Sequence, residues 1–249
     1  MERQLSISQH LLELRKRILI SGAAVLIGTI AALVFYEDII ELLLRPADQL
    51  SSDEGPARLI YTELTEMIGV TVRVSILGGL VLAFPVVLYQ AIMFVAPGLT
   101  KRERRFLLAF MPGVVLSFIG GVAFGYFVLI PPAVNFLLSW GSDLATPMIR
   151  IGNYVSIMVT LLFWLGLVFE TPVVMFLLAK LGVVSWRTYA KWRRYWVLVA
   201  FILGALITPT FDPVNQALVA APLIVLYELG IWLSRFAARS RKQSVAEAS

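Results

Sequence analysis

The chain has 249 residues, 59% of them hydrophobic and 15% charged, with a mean hydropathy of +0.84. Ordinary soluble domains run at about 45–50% apolar and about 25% charged, so a soluble fold of this size is excluded and an integral membrane protein is expected. The net charge is +5; with no cysteine there is no disulfide, iron–sulfur cluster or thiol nucleophile, and a single histidine, His10, excludes a multi-histidine metal site.

Taken in chain order, the sequence predicts an all-α integral membrane protein with six transmembrane helices. The first 17 residues, MERQLSISQHLLELRKR, are charged and amphipathic. The apolar run behind them is too long for a signal-peptide core and lacks a convincing cleavage site, so it is expected to be retained as the first span, near 18–36. Further spans are expected near 67–96, 106–130, 154–181, 195–207 and 217–233. A 13-residue span rises only about 20 Å against a hydrocarbon core of about 30 Å. The short fifth and sixth spans should therefore sit in thinned bilayer or lean on neighbours. The loop over 37–66 holds eight acids: Glu37, Asp38, Glu41, Asp48, Asp53, Glu54, Glu63 and Glu66. It should open with a helical turn or two, stopped by Pro46. The loop over 131–153 opens with PPAVNFLLSW, read as a short interfacial helix with Trp140 at headgroup depth. Residues 1–235 read as one membrane domain and 236–249 as a disordered tail.

Orientation follows from the cations. Arg3, Arg15, Lys16 and Arg17 precede the first span, and Lys101, Arg102, Arg104 and Arg105 lie between the second and third. Lys180, Arg187, Lys191, Arg193 and Arg194 lie between the fourth and fifth, and Arg235, Arg239, Arg241 and Lys242 follow the sixth. The opposite side has Arg45, Arg58 and Arg150, with Arg73 inside the second span. The positive-inside rule puts both ends in the cytoplasm, in agreement with an even number of spans.

No phosphate-binding P-loop, HExxH, GxSxG or dinucleotide fingerprint is present, so energy for any work must come from a partner or a transmembrane gradient. Gly121 and Gly125 read as close helix packing. Glu170 stands in the middle of the fourth span, where an ionised carboxylate is costly and normally faces a bundle interior or a wet cavity. Pro172 should bend the helix there and free carbonyls, giving a polar groove. The acid then carries protons, keeps the groove polar, or is protonated and bonded to a neighbouring helix. Glu228 can pair with Arg235, and Arg73 can snorkel outward. Gln90 and Gln216 read as interhelical hydrogen bonds. Glu13 and Glu103 are each set among arginines. Their residues alone favour local pairing on a solvated face over a fork for an incoming guanidinium. His10 reads as an ordinary interfacial histidine.

In this order the stretches resemble a known family, TatC, the multispanning core subunit of the twin-arginine protein translocase. The resemblance runs from about Ser8 to Arg235. It rests on HLLELRKR (10–17), Pro46, FPVVLYQ (84–90), FVAPGLTKRERR (94–105), GYFVLIP (125–131), FETP (169–172) and TPTFDP (208–213) with Gln216. Phe211, where many relatives pass directly to the Asp, and TELTE (62–66) depart from the family pattern. The resemblance implies a non-enzymatic receptor without cofactor or metal, in the plasma membrane, that recognises twin-arginine signal peptides on folded cargo. It places Glu13, Leu14, Arg15, Arg17, Phe94, Pro97, Glu103, Arg104 and Arg105 in the signal-peptide patch. Pro46, Tyr126, Glu170, Asp212 and Gln216 fall at positions tied to translocation or partner contact. The implied partners are single-span TatA and TatB, further copies of the chain and membrane lipids, with no nucleic acid and with transport driven by the proton-motive force. Two other readings of the residues stand beside it: a secondary transporter for a small solute or ion using Glu170, and a membrane scaffold. The lack of an internal repeat argues against the transporter.

Overall fold

The computed structural model describes residues 7–48, 59–139, 148–207 and 213–246. Among them the secondary structure is helical: α1 (Ile7–Val34), α2 (Tyr36–Asp48), α3 (Glu66–Val95), α4 (Lys101–Phe124), α5 (Ile130–Ser139), α6 (Ile151–Leu181), α7 (Trp186–Ile207) and α8 (Pro213–Ala246). A 3₁₀ turn, Ala96–Gly98, joins α3 to α4, and a π turn, Gly125–Leu129, runs α4 into α5. Gly182 ends α6 in the left-handed conformation, φ 79°, where its amide donates back to Ala179. Ser185 then starts α7 by accepting the Thr188 amide at 3.3 Å.

Two expectations change, at Pro46 and at the tail. Among the described residues five helices are long and apolar enough to cross a membrane, and α7, at the fifth expected span, is not one of them. Its first nine residues carry Arg187, Lys191, Arg193 and Arg194, which leaves only its second half apolar. Pro46 does not stop α2, which runs on to Asp48. Helix α8 continues through the stretch expected as a tail, as far as Ala246. Trp140 and Asp212 lie outside the described residues.

The chain divides into two compact units, one of residues up to Glu41 with Ile68–Val115, the other of Leu42–Met67 with residues from Leu116 onward. In the first, α1 and α3 cross backbone to backbone. A Cβ on Gly28 would lie 2.6 Å from the Gly79 carbonyl oxygen, and one on Gly79 would run into the Thr29 backbone. Between apolar helices in lipid there is little hydrophobic drive, so small residues that let dispersion forces act at short range hold such a crossing.

In the second unit α6 and α8 pack along each other and α7 packs on α8, around Leu161, Leu165, Ala200, Ala220 and Leu223. The end of α4 closes on α6 at glycines. A Cβ on Gly121 would come within 2.7 Å of the Leu165 carbonyl, and one on Gly166 within 2.7 Å of the Phe118 ring. The residues ahead of α3 are laced to those ahead of α6. The Ile60 amide donates to the Ile149 carbonyl at 2.9 Å, and the Ile151 amide to the Ile60 carbonyl at 2.8 Å.

Candidate functional site

In the first unit the predicted patch gathers around the last turns of α3. Glu13 and Arg17, one turn apart on α1, form an ion pair at 2.6 Å with a second contact at 3.2 Å. Arg17 also donates to the Gln90 side chain on α3 at 3.0 Å, and Gln90 is buried. One turn earlier on α1, His10 stacks on Phe94 with ring centroids 4.5 Å apart. His10, read as ordinary from the sequence, is thus the residue that seats Phe94; only its three-residue spacing from Glu13 hinted at a shared helix face.

The start of α4 meets the same end of α3. Glu103 accepts the Thr100 amide at 2.9 Å and the Thr100 hydroxyl at 2.8 Å, while its own amide reaches the Thr100 hydroxyl at 3.3 Å. This is a capping box, which places an acid in the first turn of a helix, where the dipole favours it. Arg104 reaches the Met93 sulfur at 3.3 Å. Pro97 is exposed in the 3₁₀ turn between, and Arg15 and Arg105 are exposed on α1 and α4. Glu13 and Glu103, 90 positions apart, therefore flank one helix end.

Beside this patch a groove of about 500 Å³ runs between α1 and α3. Leu14, Arg17, Gln90 and Phe94 line one part of it, and Ile18, Val25, Leu80 and Val87 line the rest. One part therefore carries polar groups and the rest is aliphatic.

In the second unit Glu170 is 7% exposed; the Phe118 backbone lies close to its carboxylate, but neither oxygen makes a well-formed hydrogen bond among the described residues. About one and a half turns earlier, the glycine contacts draw α4 against α6. Pro172 has no amide to give the Val168 carbonyl. One residue further on, the Phe169 carbonyl accepts the Ser117 hydroxyl at 2.9 Å.

Pro46 and Tyr126, selected separately, meet. Pro46 removes the amide that would bond the Leu42 carbonyl four residues back. The Tyr126 hydroxyl supplies the missing donor, at 2.7 Å, and Tyr154 adds a donor to the neighbouring Leu43 carbonyl at 3.0 Å. This is why α2 survives its proline. Tyr126 stands in the π turn, where the Ile130 amide reaches back five residues to the Gly125 carbonyl. Pro131 and Pro132 follow and deny ordinary donors to the carbonyls of Phe127 and Val128, a local reason for the wider turn.

Gln216 donates to the Phe201 carbonyl at 2.7 Å and so ties α8 to α7, as an interhelical bond was expected to do. Glu228 pairs with Arg193 at 2.8 Å and not with Arg235, whose guanidinium lies 4.4 Å over the Trp186 ring. Arg73 is exposed.

Sequence reasoning missed a clasp between the segments ahead of α3 and α6. Arg150 donates to Glu63 at 3.0 Å and to Glu66 at 3.1 Å. Glu66 also accepts the Thr62 amide and the Gly152 amide, both at 2.9 Å. Donation to Glu66 first, and then to Glu63, holds the Arg150 guanidinium charged above even its usual range. The acids had been counted as a charge cluster, but no spacing rule links position 66 to position 150. Among the described residues no three His, Asp or Glu side chains gather as metal ligands would.

These features define a multi-pass membrane protein with a carboxylate–guanidinium face beside an apolar groove. The family model described as Sec-independent protein translocase protein (TatC) matches residues 9–222. The Sec-independent protein translocase protein TatC of Carboxydothermus hydrogenoformans is 39% identical over 235 residues, 94% of this chain and 95% of that one. The Aquifex aeolicus protein of the same name is 36% identical over 95% of this chain and 98% of its own. A crystal structure described as the twin arginine translocase receptor TatC superposes with a TM-score of 0.82 at 36% identity, covering 92% of this chain and 99% of that one. The chain belongs to the TatC family.

Proposed function

We propose that this chain is the signal-peptide receptor and multispanning core of a twin-arginine protein translocase, in the plasma membrane with both ends cytoplasmic and α7 as a short sixth crossing. Its names among relatives, protein translocase and twin arginine translocase receptor, support this reading. The observation that carries the mechanism is the pairing of a polar face with an apolar groove in the first unit. A twin-arginine signal peptide has the complementary order, two guanidinium groups followed by an apolar stretch. Glu13 and Glu103 receive the guanidinium groups, Phe94 and Pro97 pack against the adjoining residues, and the apolar stretch lies between α1 and α3.

Each acid is already oriented, Glu13 by Arg17 and Glu103 by Thr100. Arg17 sets the position of Glu13 rather than saturating it, because a carboxylate offers about four lone-pair sites. A charge-assisted hydrogen bond is worth about 1.5–3 kcal/mol when partly desolvated, and less when exposed. Glu170, buried without a well-formed hydrogen bond, offers a contact to a polar group on a single-span helix of the TatA or TatB kind, and the energy of transport comes from the proton-motive force.

The test is direct binding of a synthetic peptide with adjacent arginines and an apolar tail to the detergent-solubilised chain. Replacing the arginines by lysines should weaken binding, since lysine lacks the planar fork. Glu13→Ala and Glu103→Gln should each weaken it about tenfold. Undiminished binding in both variants removes the assignment.

A further inference from the structure

We infer that the first half of α7 is a binding site for anionic phospholipid headgroups, held by Arg187, Lys191 and Arg194. The inference rests on reading the chain as membrane-embedded and is independent of peptide recognition. These three cations lie four and three residues apart, within about 60° of one helix face and over about 10 Å of its length. All three are exposed, and none has an ion pair among the described residues. Their neighbours are accounted for: Arg193 is neutralised by Glu228, and Arg235 lies over Trp186. Arg187 lies 5.6 Å from the Trp186 ring centroid, and among the described residues no acid neutralises the positive charge of this face.

The surroundings match a headgroup layer. Arg194 lies 4.8 Å over the Tyr195 ring and bonds its hydroxyl at 2.9 Å, and Trp192 meets Tyr195 edge-on at 6.1 Å. Trp192 is 62% exposed and Tyr195 52%. Tryptophan and tyrosine with an apolar body and a polar edge settle at the interface of a bilayer. The apolar half of α7 fixes the depth. Residues 196–207 carry no charge and rise only about 18 Å, well short of a hydrocarbon core of about 30 Å. With that half embedded, the basic face is drawn into the phosphate layer. Clustered arginine and lysine next to a membrane helix attract acidic lipid, and the fork of arginine suits a phosphate.

The experiment uses the full chain in detergent, with dioleoyl phosphatidylglycerol or dioleoyl phosphatidylcholine added. Native mass spectrometry reads retained lipid, and thermal unfolding reads stabilisation. Phosphatidylglycerol should be retained preferentially and should raise the melting temperature. The triple variant Arg187→Gln, Lys191→Gln, Arg194→Gln should lose that preference on the order of 10- to 100-fold. The conservative pair Arg187→Lys, Arg194→Lys should keep most of it. A charge-matched control, Arg239→Gln, Arg241→Gln, Lys242→Gln, should leave the preference intact. Equal retention of the two lipids, equal loss in the control, or full displacement by millimolar inorganic phosphate overturns the inference. An acidic protein segment as the natural occupant would show as no melting shift with phosphatidylglycerol.

Discussion

Residue by residue, Gly152 is a position where a single methyl should disturb a charge cluster. A Cβ there would stand 2.8 Å from the Glu66 carboxylate, displacing the side chain that also holds Arg150 and the Thr62 amide. Overpacking of this kind costs about 1–3 kcal/mol. Gly152→Ala should lower the midpoint of thermal unfolding in detergent, and Glu66→Gln in the same background should add little, because the carboxylate contacts are already broken. At this scale the sequence was legible where chemistry is local and opaque where it is not. The pair Glu13–Arg17 follows the four-residue spacing rule and the expected local pairing, whereas Glu103, expected to pair with arginines, caps its own helix through Thr100. The seating of Phe94 on His10, and of Arg150 between Glu63 and Glu66, depends on tertiary contacts that no local rule reports.

At the scale of elements, a proline was read as a terminator and proved to be an interior residue. The reading failed because it considered α2 alone, whereas the carbonyls at the proline are satisfied by tyrosines from elsewhere in the second unit. Tyr126→Phe should destabilise the protein by about 1–3 kcal/mol by leaving a carbonyl without a donor. Pro46→Ala restores an amide to Leu42, so Tyr126→Phe in that background should cost less than about 0.5 kcal/mol. A double-mutant cycle by chemical unfolding reads the difference, and a cost unchanged by Pro46→Ala would separate the two residues. Export of a twin-arginine precursor should follow the same order if the end of α2 at Pro46 must be fixed for transport.

For the whole molecule, the class was visible in composition alone, and the apolar stretches lie within the long helices α1, α3, α4, α6 and α8. The count of spans was less legible, since α7 spends half its length on cations and aromatics. Glu170 illustrates what composition cannot give. Its depth was readable from the sequence, but its closed packing came from glycines at 121 and 166. A buried acid without a well-formed hydrogen bond contributes no evident stability, so Glu170→Leu should unfold at the same temperature or higher. The same variant should lose precursor export while binding a twin-arginine peptide normally. Normal export would reduce the acid to a structural residue.

The π turn at 125–129 carries one residue more than an α-helix needs for the same rise. Each side chain beyond it is rotated by about 100° from the position an uninterrupted helix would give it. That rotation is what allows Tyr126 to reach Leu42 while Ile130 and Val134 remain buried. A gene lacking one codon in this stretch would still encode a helix, but one that satisfies only one of those demands. Relatives whose alignments show a single gap here are therefore the natural sources in which to look for a compensating change near Pro46.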